Sequence, residues 1–294
     1  MIYAITGPTG TGKSALAIEF ARRIGGHIVN ADAFQVYLGM DIGTNKVPAS
    51  VMDEIPHHLF DIRTPKEGYD VAQYQSDARN VIAELTGRNI PIIFVGGTGL
   101  YLRAVLYDYV FPPEEFDGAS KYVSMETPDL YDRLLEVDPL AAAAIHPHNR
   151  RRLIRALSIH DGTGIAKSAH LAATKPNLLY ETTFVGITVA RDELYRHLDL
   201  RVDQMVAAGL VAEVAALRDQ YGKDARGLQA IGYKEMMAYL EGNASMETAI
   251  AAIKLATRHY VKRQMTFFRH QLPMKWFATK EETLRFLLEM QEHE

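Results

Sequence analysis

IYAIT (residues 2–6) runs directly into GPTGTGKS (Gly7–Ser14), and a helical pattern begins on the far side. The first segment reads as a short apolar strand. The second matches G-x-x-x-x-G-K-[ST], the phosphate loop, in the setting that loop requires, with a strand before it and a helix after it. That helix is read from Ala15, Leu16, Ile18, Phe20 and Ala21 up to a Gly25-Gly26 stop. Gly7, Pro8, Thr9, Gly10, Thr11 and Gly12 make a turn whose backbone N–H groups can converge on phosphate oxygens. Lys13 neutralises them, and Ser14 can ligate Mg²⁺. The motif predicts a bound di- or triphosphate and leaves its fate open.

Working outward, HIVNAD (27–32) reads as a second strand that carries Asp32 at its C-terminal end. VAQYQSDARNVIAEL (71–85) is an amphipathic helix. PIIFVGGTG (91–99) is a buried strand, apolar without alternation, that ends in a glycine turn before a helix from Leu100. Strands alternating with helices imply a parallel sheet. Ligands of such sheets sit at the carboxyl ends of the strands, which singles out the phosphate loop, Asp32–Gln35 and Gly96–Thr98. The stretch FPPEEFDGASKYVSMETPD (111–129) interrupts the pattern, and the helices LYDRLLEV, LAAAAIH and RRLIRALSIH follow it. TTFVGITVA (182–190) is a further strand. Everything after Arg191 reads as helix, including a long one from Ser245 to about Arg269.

The bulk numbers bound the function. A chain of 294 residues with 48% hydrophobic and 23% charged residues is a folded globular protein. No apolar run reaches the roughly 18 residues of a membrane span, and MIYAITGPTG lacks the basic start of a cleaved signal. With no cysteine there is no disulfide, thiolate metal site or Cys nucleophile, which fits a cytoplasmic address. The net charge of −4 is unevenly spread. No acid lies between Asp138 and Asp161, a window holding Arg150, Arg151, Arg152 and Arg155. None lies between Glu247 and Glu281, a window holding Lys254, Arg258, Lys262, Arg263, Arg269, Lys275 and Lys280. Lys254, Arg258 and Lys262 recur every four residues as one helical stripe. Such local basic surfaces attract polyanions, although each run also reads as a solvated helix face. Phe267 and Phe268 could stack on an unpaired base, or fill a core.

Single residues point the same way. Asp32 beside a phosphate site can act as a base or hold metal-bound water, though a bare Asp there reads first as a helix cap. Gln35 offers both a donor and an acceptor, as an adenine edge requires. Thr98 supplies a hydroxyl in the GGTGLY turn.

Taken together, GPTGTGKS, DAFQVYLGMDIGTNK (32–46), IPHHLFDI (55–62), GGTGLYLRAVL (96–106), RRLIRAL (151–157), LQAIGYKE (228–235) and KRQMTFFR (262–269) stand in an order that resembles the tRNA dimethylallyltransferases. The resemblance runs from Gly7 to about Phe277. It implies an α/β fold, a P-loop NTPase-like parallel-sheet core with a helical insertion and C-terminal helices. The domains would be residues 1–111 (first part of the core), 112–180 (insertion with a basic helix) and 181–294 (return to the core and C-terminal helices). It also implies dimethylallyl diphosphate as donor, Mg²⁺ as cofactor, and the adenosine beside the tRNA anticodon as acceptor, in a protein expected to act as a monomer.

Carried over residue by residue, the resemblance has Gly7–Ser14 hold the donor diphosphate. Asp32 takes a proton from the adenine amine, Thr98 sits near the bridging oxygen, and Arg191 binds diphosphate. The tRNA contacts would be Asp32, Ala33, Phe34 and Gln35; Arg151, Arg152, Leu153, Ile154 and Arg155; Gln229, Ala230, Ile231, Gly232, Tyr233 and Lys234; and Lys262, Arg263, Gln264, Met265, Thr266, Phe267, Phe268 and Arg269. Two departures stand out. Ala33 replaces the family's usual Ser, removing a hydroxyl contact worth about 1 kcal/mol. In addition, Gly118–Asp129 stands where the family has a longer, Arg-bearing segment, which makes the insertion short. The competing readings are a prenyltransferase acting on free AMP, ADP or ATP, a small-molecule kinase, and an RNA-binding homologue without chemistry.

Overall fold

A computed structural model describes residues 1–109, 111, 118–169 and 177–292, with backbone alone at 118–120. The chain forms two compact units, one built from Met1–Leu106 with Leu179–Glu294 and the other from Tyr107–Leu178.

The first unit is a six-stranded sheet with every pairing parallel, in spatial order β3-β2-β4-β1-β5-β6. Its strands are β1 (Ile2–Thr6), β2 (His27–Asn30), β3 (His57–His58), β4 (Ile92–Gly96), β5 (Thr182–Ile187) and β6 (Lys275–Phe277). Strand β1 lies between β4 and β5, with Ile2 opposite both Ile92 and Thr182. Strands buried on both faces carry apolar side chains without alternation, and β1 and β4 are buried at every position. Leu16, Ala17 and Phe20 of helix α1 (Lys13–Ile24) cover one face together with Leu284 and Leu287. Helix α3 (Val71–Gly87) buries Tyr74, Ala78, Ile82 and Leu85, and its start is fixed by a reciprocal capping box between Asp70 and Gln73. Two further helices precede the second unit, α2 (Ala49–Glu54) and α4 (Gly99–Leu106).

The second unit has its own core. It is built from Leu130 and Leu134 of α6 (Thr127–Val137), Ala141 and Ala142 of α7 (Pro139–Ala144), and Leu153, Ala156 and Leu157 of α8 (Arg150–Thr163). Part of the stretch expected to be irregular is helical, as α5 (Gly118–Val123). Residues 112–117 of that stretch lie outside the described residues.

The C-terminal half departs from the expected all-helical reading at two places. KWF (275–277) is a parallel edge strand beside β5, too short at three residues to show a period. The run from Leu194 to Asp219 is two helices, α9 (Arg191–Ala207) and α10 (Leu210–Tyr221), separated at Gly209, whose φ is +104°. After a 3₁₀ turn at Arg226–Gln229 come α11 (Tyr233–Leu240), the long α12 (Met246–Gln271) and α13 (Lys280–Glu292). No described helix is long and apolar enough to cross a membrane.

Candidate active site

The phosphate loop leaves β1 and enters α1 with Gly10 and Gly12 at φ of +85° and +84°, a region that suits glycine. The Thr11 hydroxyl donates to the Pro8 carbonyl (3.1 Å), and Lys13 Nζ reaches the same carbonyl at 3.4 Å. Two groups from distant elements brace the loop. Gln264 of α12 accepts from the Thr9 N–H at 3.1 Å and donates to the Gly97 carbonyl at 2.9 Å. Arg201 of α9 donates to the Thr9 hydroxyl at 2.6 Å, while its Nε is buried without a protein partner among the described residues.

Asp32 follows β2 and faces this loop. The buried Asn30 holds its backbone, accepting from the Asp32 N–H (2.8 Å) and donating to the Asp32 carbonyl (3.0 Å). One carboxylate oxygen accepts from the Phe34 N–H at 2.9 Å, so Asp32 does make the local turn that a bare Asp predicts. The carboxylate also lines a cavity with Lys13, Ser14 and Arg201. Burial holds the Lys13 ammonium down at about 8, with Asp32 opposing the shift and Arg201 adding to it. Burial likewise lowers Arg201, again against the pull of Asp32. Two desolvated cations facing one carboxylate leave an excess positive charge, and an arginine nitrogen without a partner completes a setting for an anion.

Thr98 closes the site from β4. Its N–H donates to the Ala31 carbonyl (3.0 Å), and its hydroxyl accepts from the Ala33 N–H (3.1 Å). Tyr260 of α12 stands nearby. Its phenol is pushed up to about 12, first by burial and then by Asp32, with hydrogen bonding to Thr98 and Gln264 working the other way. Tyr260 is therefore a neutral hydroxyl at working pH.

Two cavities meet here. One is lined by the phosphate loop and by apolar side chains including Ala17, Ile18, Val47 and Phe60. The other is lined by Phe34, Ala230, Ile231, Gly232, Ile253 and Tyr260. Asp32, Thr9, Thr44 and Arg201 belong to both. His57, from the IPHH block, borders the first cavity; its Nδ1 pairs with the Ile55 carbonyl at 2.5 Å, and burial lowers its pKa. Ser14 and Asp32 place oxygen donors in the first cavity, while no group of three or more His, Cys, Asp or Glu could form a metal cage among the described residues. That donor set fits Mg²⁺, which binds through few protein oxygens and completes its shell with phosphate and water.

Other expected residues lie elsewhere. Arg191 is exposed and borders a separate groove with Pro8, Tyr195, Lys262, Arg269 and His270. Its guanidinium lies 5.2 Å from the Tyr195 ring centroid. The basic stripe of α12 is only partly free, because acids from α9 answer it across the helix pair. Lys254 pairs with Asp203 at 2.6 Å and Arg258 with Asp199. The absence of acid within a sequence window says nothing about acids on a neighbouring helix. Lys262, Arg263 and Arg269 are exposed and form no ion pair among the described residues.

Several expected tRNA contacts are interior instead. Phe268 is fully buried, and both Phe267 and Phe268 pack against Gly99, which removes Phe268 as a stacking platform. Gln264 is buried bracing the phosphate loop, and Leu153 is core of the second unit. Tyr233 is buried, donating to Glu213 at 2.5 Å. Arg151, Arg152 and Arg155 are exposed on α8.

Arg201 and Tyr260 escaped the sequence reading, yet each carried a signal. Arg201 falls on the same helical face as Leu194 and Leu198, both buried, where a cation is out of place. Tyr260 falls on the face of Ile253 and Gln264, also buried.

The comparisons agree with this geometry. A family model described as IPP transferase matches residues 35–271. The chain is 46% identical over 282 residues to a tRNA dimethylallyltransferase of Geobacillus kaustophilus, covering 94% of this chain and 90% of that one. A crystal structure of the tRNA isopentenylpyrophosphate transferase from Bacillus halodurans aligns with a TM-score of 0.74 at 39% identity, over 99% of this chain and 97% of that chain. A eukaryotic dimethylallyltransferase acting on tRNA aligns at 0.82 and 28% identity, over 94% and 74%. With relatives this similar along nearly its full length, and a phosphate loop and Asp32 meeting where two cavities join, the chain belongs to the IPP transferase family, the tRNA dimethylallyltransferases.

Proposed function

We propose that this chain transfers a dimethylallyl group from dimethylallyl diphosphate to the exocyclic amine of the adenosine adjacent to a tRNA anticodon. The carrying observation is the junction of the two cavities at Asp32, Thr9 and Arg201. A diphosphate on the phosphate loop directs its allyl group into the apolar part of the first cavity. A purine in the second cavity, against Phe34 and Tyr260, brings its amine to the same carboxylate.

The amine nitrogen attacks the allylic carbon, the carbon–oxygen bond breaks, and the electron pair leaves with the diphosphate. Asp32 receives the amine proton. Charge develops on the departing oxygens, where Lys13, Arg201 and the loop N–H groups stabilise it. The family resemblance assigns the Thr98 hydroxyl to the bridging oxygen of the leaving group. Ser14 would hold Mg²⁺, which when bound would supply a further positive charge to the departing diphosphate. Lys262, Arg263 and Arg269 on the first unit, with Arg151, Arg152 and Arg155 on the second, serve as tRNA phosphate contacts.

Incubation with dimethylallyl diphosphate, Mg²⁺ and either unmodified tRNA or AMP, read by mass spectrometry, tests the assignment. The expected result is one added prenyl group on tRNA and none on AMP. Prenylated AMP would make the chain an adenylate isopentenyltransferase, and phosphoryl transfer from ATP would make it a kinase.

A further inference from the structure

Gln35 lines the phosphate-loop cavity beside Asp32, but it cannot offer the donor–acceptor pair that its residue type suggests. Its Nε2 donates to the carbonyls of Thr44 (3.0 Å) and Asn45 (3.3 Å). Turning the amide over would press its oxygen against two carbonyl oxygens, so the orientation is set by its surroundings. Both N–H bonds are spent. Oε1 is the one atom of this side chain left to meet a ligand, and it can only accept.

The loop that leads into those two carbonyls is clamped by residues far along the chain. The backbone N–H groups of Asp41, Ile42 and Gly43 converge on the carboxylate of Glu213, from α10, at 3.1, 2.8 and 3.1 Å. The Tyr233 hydroxyl donates to the same carboxylate at 2.5 Å. The Tyr233 ring then presses on the loop from the side. A Cβ at Gly43 would stand 2.3 Å from Tyr233 Cε2, so only glycine admits this contact. Gly43 and Thr44 themselves line the second cavity, opposite Ile231 and Gly232 of the segment that leads into Tyr233. One carboxylate with four donors therefore fixes a wall of the site and the amide behind it.

We infer that Glu213 and Tyr233 are positioning residues that set base specificity, by locking Gln35 so that it presents an acceptor alone. The inference rests on the tRNA prenylation reading and adds the chemistry of the choice. Gln35 lines the first cavity and not the second, so it meets the base where the amine edge crosses the junction at Asp32, and there the base must bring a hydrogen-bond donor, as an exocyclic amine does. A base with a keto oxygen there meets a second acceptor and leaves both unpaired, which in a desolvated site costs roughly tenfold or more in affinity. If the clamp is released, the carbonyls of residues 44 and 45 move off, the amide can turn, and the keto base becomes tolerated.

The test uses two anticodon stem-loops identical except for adenosine or inosine at the acceptor position. Each is titrated against the full chain as wild type and as Glu213→Gln, Gly43→Ala and Tyr233→Phe, with dimethylallyl diphosphate affinity measured in parallel. Wild type should prefer the adenosine stem-loop by about tenfold. Glu213→Gln puts an N–H₂ among N–H donors, and Gly43→Ala displaces the same loop without touching Glu213. Both should lower the ratio severalfold, short of one because Asp32 still faces the same edge, while donor affinity falls by less than that because the loop also borders the phosphate-loop cavity. Tyr233→Phe removes one of four hydrogen bonds, keeps the ring, and should give an intermediate ratio even if the harsher variants do not fold. Equal weakening toward both stem-loops, or loss of donor affinity in step, would make the clamp merely structural and overturn the inference. A wild type preferring inosine would also overturn it, while leaving the tRNA reading intact. Failure of wild type to bind either stem-loop would overturn both.

Discussion

At the scale of single residues, the site depends on three charged groups, Lys13, Asp32 and Arg201, gathered on one cavity. Lys13 is the most exposed to conditions, because burial lowers it to about 8 from 10.5. In the free protein it loses its charge as pH rises through about 8. kcat/KM for the diphosphate, which reports the free enzyme, should therefore fall above that pH, and the falling limb should vanish in Lys13→Ala along with almost all turnover. Stability moves the opposite way. Between about 8 and 10.5 the unfolded chain binds the Lys13 proton and the folded one does not, so this residue's contribution to stability rises with pH across that window. Asp32→Ala should lower kcat by roughly 10²–10⁴-fold with donor affinity retained, as for a positioned base. Near-normal turnover in single-turnover assays would reduce Asp32 to the local turn it makes with Phe34. Ala33→Ser restores a hydroxyl at the base-facing turn and should leave tRNA affinity equal or improved in equilibrium titration.

Elements decide which charges are available. Along α12, Lys254 and Arg258 point to α9 and are paired, whereas Lys262, Arg263 and Arg269 further on are exposed. The two sets should separate in a salt titration of tRNA binding. Replacing Lys262 and Arg263 by Ala should flatten the slope of log affinity against log salt by roughly 0.7–0.9 for each charge. Replacing Lys254 or Arg258 by Ala should leave the slope unchanged and lower thermal stability only slightly, since part-exposed pairs contribute about 0–1 kcal/mol. Identical slopes for wild type and the Lys262/Arg263 variant would remove that end of the helix from the RNA-binding surface. The same helix carries Gln264 and Tyr260 into the core, so one element supplies the brace of the phosphate loop, a wall of the second cavity and the exposed cations.

For the whole molecule, the two units have separate cores, and this predicts separable consequences. Leu153 is fully buried in the second unit beside Leu130 and Leu134. Leu153→Ala should destabilise that unit by about 2–5 kcal/mol, read by thermal unfolding, while dimethylallyl diphosphate titration stays at its wild-type value. Arg151→Ala, two residues away and exposed, should leave unfolding unchanged and weaken tRNA in a salt-dependent way. A reversed pattern would mean that α8 faces the other way than its burial indicates.

Sequence alone determined whatever depends on local pattern. GPTGTGKS between an apolar strand and a helix is readable because the loop's chemistry is contiguous, and the buried apolar runs of β1 and β4 announce a parallel sheet. Asp32 and Thr98 were legible because parallel strands deliver their C-terminal ends to one edge. The tertiary structure decided the rest. Strand β5 neighbours β1 across a whole inserted unit, and β6 is too short to carry a period. Lys254 and Arg258 looked free because their partners are a helix away in space and 51 and 59 residues away in the chain. Gln264 and Phe268 sit in a basic, surface-like stretch, yet the turn of α12 carries them inward. Gln35 looked able to donate and accept until the fold spent its N–H bonds on carbonyls of the loop that Glu213 clamps. A residue's type fixes which bonds it can make; only packing, by placing partners from remote segments and excluding water, decides which of them are left for a ligand.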